Sequence, residues 1–287
     1  MITFRTKPRN TNLTTLQAVK DELSLTDGSE DAAIKSAIAR ASDAFVKFTG
    51  RKYARAVVTE QLGQVDDIIM MLDYTPLILR EAVRFKDVAI ADLSDISIFD
   101  PEAGFLLNRK RWNDTVVRNT KLINRDPIPS ELLPDYEVDY TAGFFVPDDN
   151  IVNDNTISAS STDDSFNITG RSFPLLVAGE TFEVRGFADA ANNGTFMVVV
   201  ATATKITVEE TLVTEAAGLD VDLDVRDLPF DIEQAVINAI VHLIESRGRD
   251  GTIKSERIGD WAATYFDRNV TSVYGADQSI NKWVRVE

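Results

Sequence analysis

The chain has 287 residues, 44% of them hydrophobic, and its 46 acidic against 30 basic side chains give a formal charge of −16. That length suits one large domain or two modest ones, and that charge argues against gripping nucleic acid by phosphate neutralisation, though not against standing beside DNA without holding it. Cysteine is absent, which excludes a disulfide framework and a thiolate metal site.

No apolar run approaches the roughly 18–20 residues that span a bilayer. The opening "MITFRTKPRN" lacks the apolar stretch of a secretory signal. The expectation is a folded protein made in a cytoplasm and not bound to a membrane.

"FRTKPRN" is a short basic arm carrying Arg5, Lys7 and Arg9. It reads either as a flexible solvated end or as a contact with an acidic neighbouring subunit. "NLTTLQAVKDELSLTDG" predicts a short helix, with Thr14 and Gln17 as a capping box and Leu16, Val19 and Leu23 on one face. "SEDAAIKSAIARASDAFVKFTGRK" predicts a long one. Ser29 is its expected N-cap, Ile34, Ile38, Ala41, Phe45 and Phe48 its apolar stripe, and Gly50 its end.

The period then changes to two. "AVVTEQLG", "DIIMMLDY", "LREAVRFKDVAI" and "DISIFDPEAGFLLN" predict strands, with "DPEAG" as a hairpin connection. "DYEVDYTAGF" adds another, with Val138 and Tyr140 on one face.

From about Pro147 the texture shifts. "NDNTISASSTDDS" reads as a linker or exposed loop. Beyond it "ETFEVRGF", "TFMVVVATA", "KITVEE" and "LDVDLDVRD" alternate, the last placing Leu219, Val221, Leu223 and Val225 on one side. Residues 150–227 carry 13 acidic and four basic side chains, which marks an acidic β module.

Helical periodicity returns in "LPFDIEQAVINAIVHLIESRGRDG", with Pro229 in the first turn and Ile232, Val236, Ile240 and Leu243 along one stripe. One helix cannot bury its own apolar face. It is therefore expected to return to the N-terminal helices, making the β module an insertion. The predicted fold class is α+β: a small helical bundle with an antiparallel sheet, plus an inserted all-β module. The expected divisions are 1–149 (helices, then the small sheet), 150–226 (the insert) and 227–287 (the last helix and a C-terminal segment).

No residue set announces chemistry. The lone histidine, His242, has no titrating partner near it in sequence and reads as structural. Asp220, Asp222 and Asp224 alternate as the solvent face of a strand would, without the glycine that a calcium loop needs at its sixth position. Phosphate-binding glycine loops, nucleophile elbows and metal-spaced His/Glu sets are missing. The reading is a protein that is not an enzyme and has no cofactor or metal.

Four pieces in order carry a likeness: "LTTLQAVKDELSLTDGSEDAAIKSAIARASDAFVKFTGRKY", "VDYTAGF", "LPFDIEQAVINAIVHL" and "IKSERIGDWAATYF". Together they resemble the head–tail connector (adaptor, or head-completion) proteins of tailed double-stranded DNA bacteriophages. The resemblance implies a structural virion protein at the head–tail junction. It would form a homo-oligomeric ring, typically twelve-fold, beneath the portal protein. Such a ring extends the DNA channel without binding DNA specifically and presents a surface to the next neck, stopper or tail-completion protein.

It also implies that the segment after the last helix reaches the portal. Trp261, Tyr265 and Phe266 would be the anchors there and Lys254, Glu256 and Arg257 would set register. The insert is the chain's departure from the family. A competing reading makes the insert a binding module for a host glycan or another virion protein, for which an exposed aromatic cluster would speak. Phe166, Phe173, Phe182, Phe187 and Phe196 sit mostly at alternating positions instead, as core would.

Overall fold

The computed structural model describes residues 2–63, 69–85, 88–90, 93–109, 136–245, 255–258 and 261–264. Among them the fold is α+β, with three α-helices and several antiparallel sheets. The chain divides into two compact units, Met1–Arg9 with Arg55–Phe144, and Asn10–Ala54 with Phe145–Glu287.

The first unit is built from β1 (Ile2–Thr6), β2 (Ala56–Leu62), β3 (Ile69–Met71), β4 (Leu77–Phe85), β5 (Val88–Ala89), β6 (Ile96–Asp100), β7 (Phe105–Asn108) and β8 (Tyr136–Ala142). Five of these form one sheet in the order β1-β2-β8-β4-β5, and a second sheet runs β3-β7-β6. The basic arm is therefore not a flexible end at its start. "ITFRT" alternates, so Ile2 and Phe4 turn onto the core while β1 pairs antiparallel with β2, Phe4 opposite Val58. Phe4 meets Tyr74 edge-to-face at 6.0 Å.

β8 is the central strand, held by β2 on one side and β4 on the other. Val138 and Tyr140 share one buried face with Tyr136 and Ala142, as their alternation predicts. The "DPEAG" turn joins β6 to β7, and Gly104 is required in it. Its φ is +78°, and a Cβ there would lie 2.5 Å from the Leu72 carbonyl oxygen.

In the second unit α1 (Leu16–Glu22), α2 (Asp31–Thr49) and α3 (Phe230–Glu245) pack on one another. Their shared interior includes Val19, Ile34, Ile38, Phe45, Ile232, Val236 and Ile240, each 3% exposed or less. Gly50 ends α2 in the left-handed conformation, φ +68°. Two caps differ from expectation. Thr15, not Thr14, caps α1, its side chain accepting from the Ala18 amide at 3.1 Å. Gln17 donates to Asp21 instead of closing a capping box. Ser29 does not cap α2 but donates to Asp27 through both its amide and its hydroxyl, and Glu30 occupies the N-cap position without a capping hydrogen bond from its side chain.

The rest of the described second unit is mostly a seven-stranded antiparallel arrangement. Its strands are β9 (Ile151–Asp154), β10 (Ile157–Ser160), β11 (Ser165–Ile168), β12 (Thr181–Arg185), β13 (Gly194–Ala201), β14 (Lys205–Val208) and β15 (Val221–Asp224). The order is β10-β11-β14-β13-β12-β15-β9. The Ser/Thr/Asn/Asp stretch expected as a linker or exposed loop is thus strand broken by tight turns, of which the turn at 161–164 is largely exposed. Ile151, Ile157, Ala159, Phe166 and Ile168 turn inward from it, while its polar side chains face out or close turns. Asp154, for instance, accepts from Thr156 and from Arg171.

Leu219, placed on the core side of the last strand by its alternation, precedes β15 and is 38% exposed. At the mouth of this sheet the chain's two passages meet: Ile151 lies opposite Leu223, and the Val225 amide donates to Asn150 Oδ1 at 3.0 Å. A last hairpin comprises β16 (Ser255–Ile258) and β17 (Trp261–Thr264).

Candidate assembly surface

Of the six C-terminal residues assigned to contacts with other chains, Glu256 and Arg257 lie on β16 and Trp261 opens β17, opposite Ile258. Lys254, Tyr265 and Phe266 lie outside the described residues. The segment read as one docking stretch therefore contains two paired strands.

At the other terminus Lys7 and Arg9 are exposed. Arg5 is engaged within its own unit: its guanidinium donates to Asp139 Oδ2 at 3.0 Å and to Glu81 Oε2 at 3.3 Å. Arg5 thus ties the edge strand β1 to the centre of the sheet, while its side chain stays 51% exposed.

Asp139 is the hub of that arrangement, and the sequence reading missed it. Its side chain is 1% exposed and receives Arg5, the Thr59 hydroxyl at 2.6 Å, and Arg84. Arg84 also reaches Glu137 at 2.5 Å, and Thr141 donates to Glu81 at 3.0 Å. One face of the sheet is therefore a laced row of charges running β1-β2-β8-β4. Burial alone would push Asp139 up. The hydrogen bonds from Arg84 and Thr59, with the charges of Arg84 and Arg5, outweigh it and hold the carboxyl below the usual range. A signal was present in "VDYT", where an aspartate alternates with core residues on a strand too apolar to be an outer one.

The opposite face holds a second buried carboxyl. Glu60, 2% exposed, accepts from the Tyr140 hydroxyl at 2.5 Å and from the Asp73 amide at 3.0 Å, and Tyr140 in turn accepts from the Tyr74 amide. Burial raises the Glu60 carboxyl, with the Tyr140 and Asp73 hydrogen bonds pulling the other way. Both carboxyls fasten strands.

In the seven-stranded sheet region the five phenylalanines are core, none more than 6% exposed, with the Phe166 ring 5.0–5.9 Å from those of Phe182, Phe187 and Phe196. The exposed aromatic platform that would mark a glycan site is not formed by these residues. Asp222 and Asp224 accept from the Asn153 and Arg226 amides on the outer side of β15. An open cleft of about 490 Å³ crosses β12, lined by Phe145, Glu180, Phe182, Glu183, Asp224 and Asp227. His242 is half-buried on α3. Among the described residues no group of three or more His, Asp or Glu side chains is arranged to hold a metal ion, and no helix is long and apolar enough to cross a membrane.

No protein-family model matches the chain, and no curated protein matches it. Solved structures similar to part of it include a chain from the neck of an empty gene transfer agent particle, computed with sixfold symmetry. The likeness covers 52% of this chain and 76% of that one at 18% identity, with a TM-score of 0.35. A chain from the virion of a native gene transfer agent particle is similar over 52% of this chain and 77% of its own, at 19% identity and the same TM-score of 0.35. At that level neither likeness bears weight in assigning a function.

Proposed function

We propose that the chain is a structural virion protein of the head–tail junction, a ring-forming connector beneath the portal that extends the DNA channel toward the neck. The observation that supports this reading most directly is the packing of α3 against α1 and α2. The ordered sequence pieces that resemble head–tail connectors come together there as one helical group although the insert separates them in the chain. The central strand β8 contains another of those pieces, "VDYTA".

On this reading residues 150–226 are an insertion into the connector core. The C-terminal segment with Trp261, Tyr265 and Phe266 docks on the portal, and Lys7, Arg9, Lys254 and Arg257 meet acidic partner surfaces. The net charge of −16 suits a channel wall that repels duplex DNA and keeps it centred. No catalytic step is assigned to any residue.

Negative-stain micrographs of the purified full chain test the proposal, together with virions labelled on this chain. Annular particles, and label confined to the head–tail junction, are expected. A monomer at every concentration, or label elsewhere on the particle, overturns it.

A further inference from the structure

The three-stranded sheet β3-β7-β6 buries one face and exposes the other. Met70 and Leu106 turn inward, 1% and 0% exposed, while Ile69, Met71 and Phe99 turn outward at 37%, 53% and 62%. The register places Leu107 opposite Ile69 and Phe105 opposite Met71, so these half-buried side chains fill the middle of the same face. Single exposed apolar residues are ordinary, but a contiguous patch of Ile, Met, Leu and two Phe marks a contact. Its rim is acidic, with Asp73 and Glu102 exposed and Asp100 half-buried. Arg109 is exposed just past the end of β7, but the acids outnumber it, so a surface richer in bases complements this rim better than a second copy of the same face.

The outward face of α2 has the matching character. Residues 35–52 hold five bases (Lys35, Arg40, Lys47, Arg51 and Lys52) and one acid, Asp43, in a chain of net charge −16. Ala32, Ser36 and Ala39 are exposed in the same helix, and Lys35 and Arg40 flank them. Small residues let a flat apolar sheet approach closely, and the aliphatic stems of Lys and Arg cover apolar surface while their charged ends reach a rim.

We infer that the chain self-associates head to tail, the outer face of β3-β7-β6 in one copy seated on the exposed face of α2 in the next. Lys35 and Arg40 of one copy then meet Asp73, Asp100 and Glu102 of its neighbour. This deepens the ring reading above and rests on it. Because the two surfaces differ, each added copy leaves one of each open. Association propagates and closes into a ring when the rotation between copies allows.

Sedimentation velocity on the purified full chain tests the pairing with two variants, Phe99→Asp, which spoils the sheet face, and Lys35→Glu/Arg40→Glu, which spoils the helix face. Each alone is expected to stay monomeric with the wild-type circular dichroism spectrum. Mixed in equal amounts they are expected to form a two-chain species and nothing larger, because each retains the surface the other has lost. Asp73→Lys/Glu102→Lys replaces Phe99→Asp should that variant fail to fold. Variants that assemble like wild type, or a mixture that stays monomeric while wild type assembles, overturn the pairing and leave the ring reading standing. A wild-type chain that is monomeric throughout overturns both.

Discussion

Thr14 and Glu233 are 219 positions apart in the chain, yet the Thr14 hydroxyl donates to Glu233 Oε1 over 3.2 Å in the interior of the helical group. Glu233 is 3% exposed, and its other oxygen takes the Arg226 guanidinium. One carboxylate in the first turn of α3 thus fastens that helix both to the entry of α1 and to the chain leaving the β-sheet.

Replacing it should be costly. Glu233→Ala leaves a buried hydroxyl and a guanidinium without their acceptor, and a loss of about 3 kcal/mol is expected. Thr14→Val removes one neutral donor and should cost about 1 kcal/mol. Denaturant unfolding followed at the helical circular dichroism band measures both. Equal losses for the two variants would contradict the role given to Arg226.

Asp139 predicts a pH dependence. Its folded pKa lies below the unfolded value of about 3.9. Its contribution is therefore complete above that pH and lost as the pH falls through the lower, folded value. Asp139→Asn should be less stable than wild type by about 3 kcal/mol at neutral pH, since Arg84 and Arg5 lose the charge they share. The gap should close on acidification below about pH 4. A gap that stays constant to low pH would mean the carboxyl is not the charge that holds the row.

Glu60 predicts the opposite sign. Burial raises its folded pKa, so its contribution is complete below the unfolded value of about 4.3 and fades as the pH rises through the folded one. Glu60→Gln keeps an acceptor for the Asp73 amide without the buried charge. It should match wild type in acid and exceed it near neutrality. Thermal melts of the two proteins across that range decide the matter, and a variant less stable at neutral pH would be the failing result.

How far these features could be read from sequence depends on what each residue advertises. Ile34, Ile38, Ala41 and Phe45 recur at helical spacing and Gly50 stops them, so α2 was legible nearly to the residue. Adjacent threonines at 14 and 15 offered two equivalent caps, and only packing against Glu233 decides between them. Strands β9 to β11 are four residues each, and their outward Ser and Asn conceal the inward Ile and Phe. β1 hid behind its own bases. Asp139 itself left a signal in "VDYT", but its partners did not, because Arg5, Thr59 and Arg84 come from three strands distant in sequence. Charge and small residues on α2 were in plain view, but the face they complement exists only once β3, β7 and β6 are in register.

Glycine at 186 gives a further test. Its φ is +108°, and a Cβ would lie 2.3 Å from the Asp220 carbonyl oxygen, whereas Gly218 (φ +133°) has nothing within 4 Å. Gly186→Ala should cost more than 2 kcal/mol or so, and Gly218→Ala about 1 kcal/mol, the strain of the backbone alone. Near-ultraviolet circular dichroism melts of both variants provide the comparison, and equal effects would mean that the close approach relaxes freely.

Deleting Asn150–Arg226 and joining the ends with a short Gly/Ser bridge should leave a folded helical protein. The Val225 amide already bonds Asn150, so a short bridge spans the gap. Some loss is expected from removing Arg226, the partner of Glu233. An unfolded far-ultraviolet spectrum would show that the sheet is not an independent insertion.

The meeting of the chain's two passages at the mouth of that sheet also decides how it responds to force. Phe145 and Asp227 are joined by a hydrogen bond from amide to carboxylate, and Asn150 and Val225 by another just beyond. While these clasps hold, tension along the backbone passes from one side to the other directly, and the residues between hang slack outside the load path. If the clasps part, β9 and β15 are pulled from the same end of an antiparallel pair, so their bonds break one after another rather than together in shear. The sheet would then come off as a zipper opens, at low force.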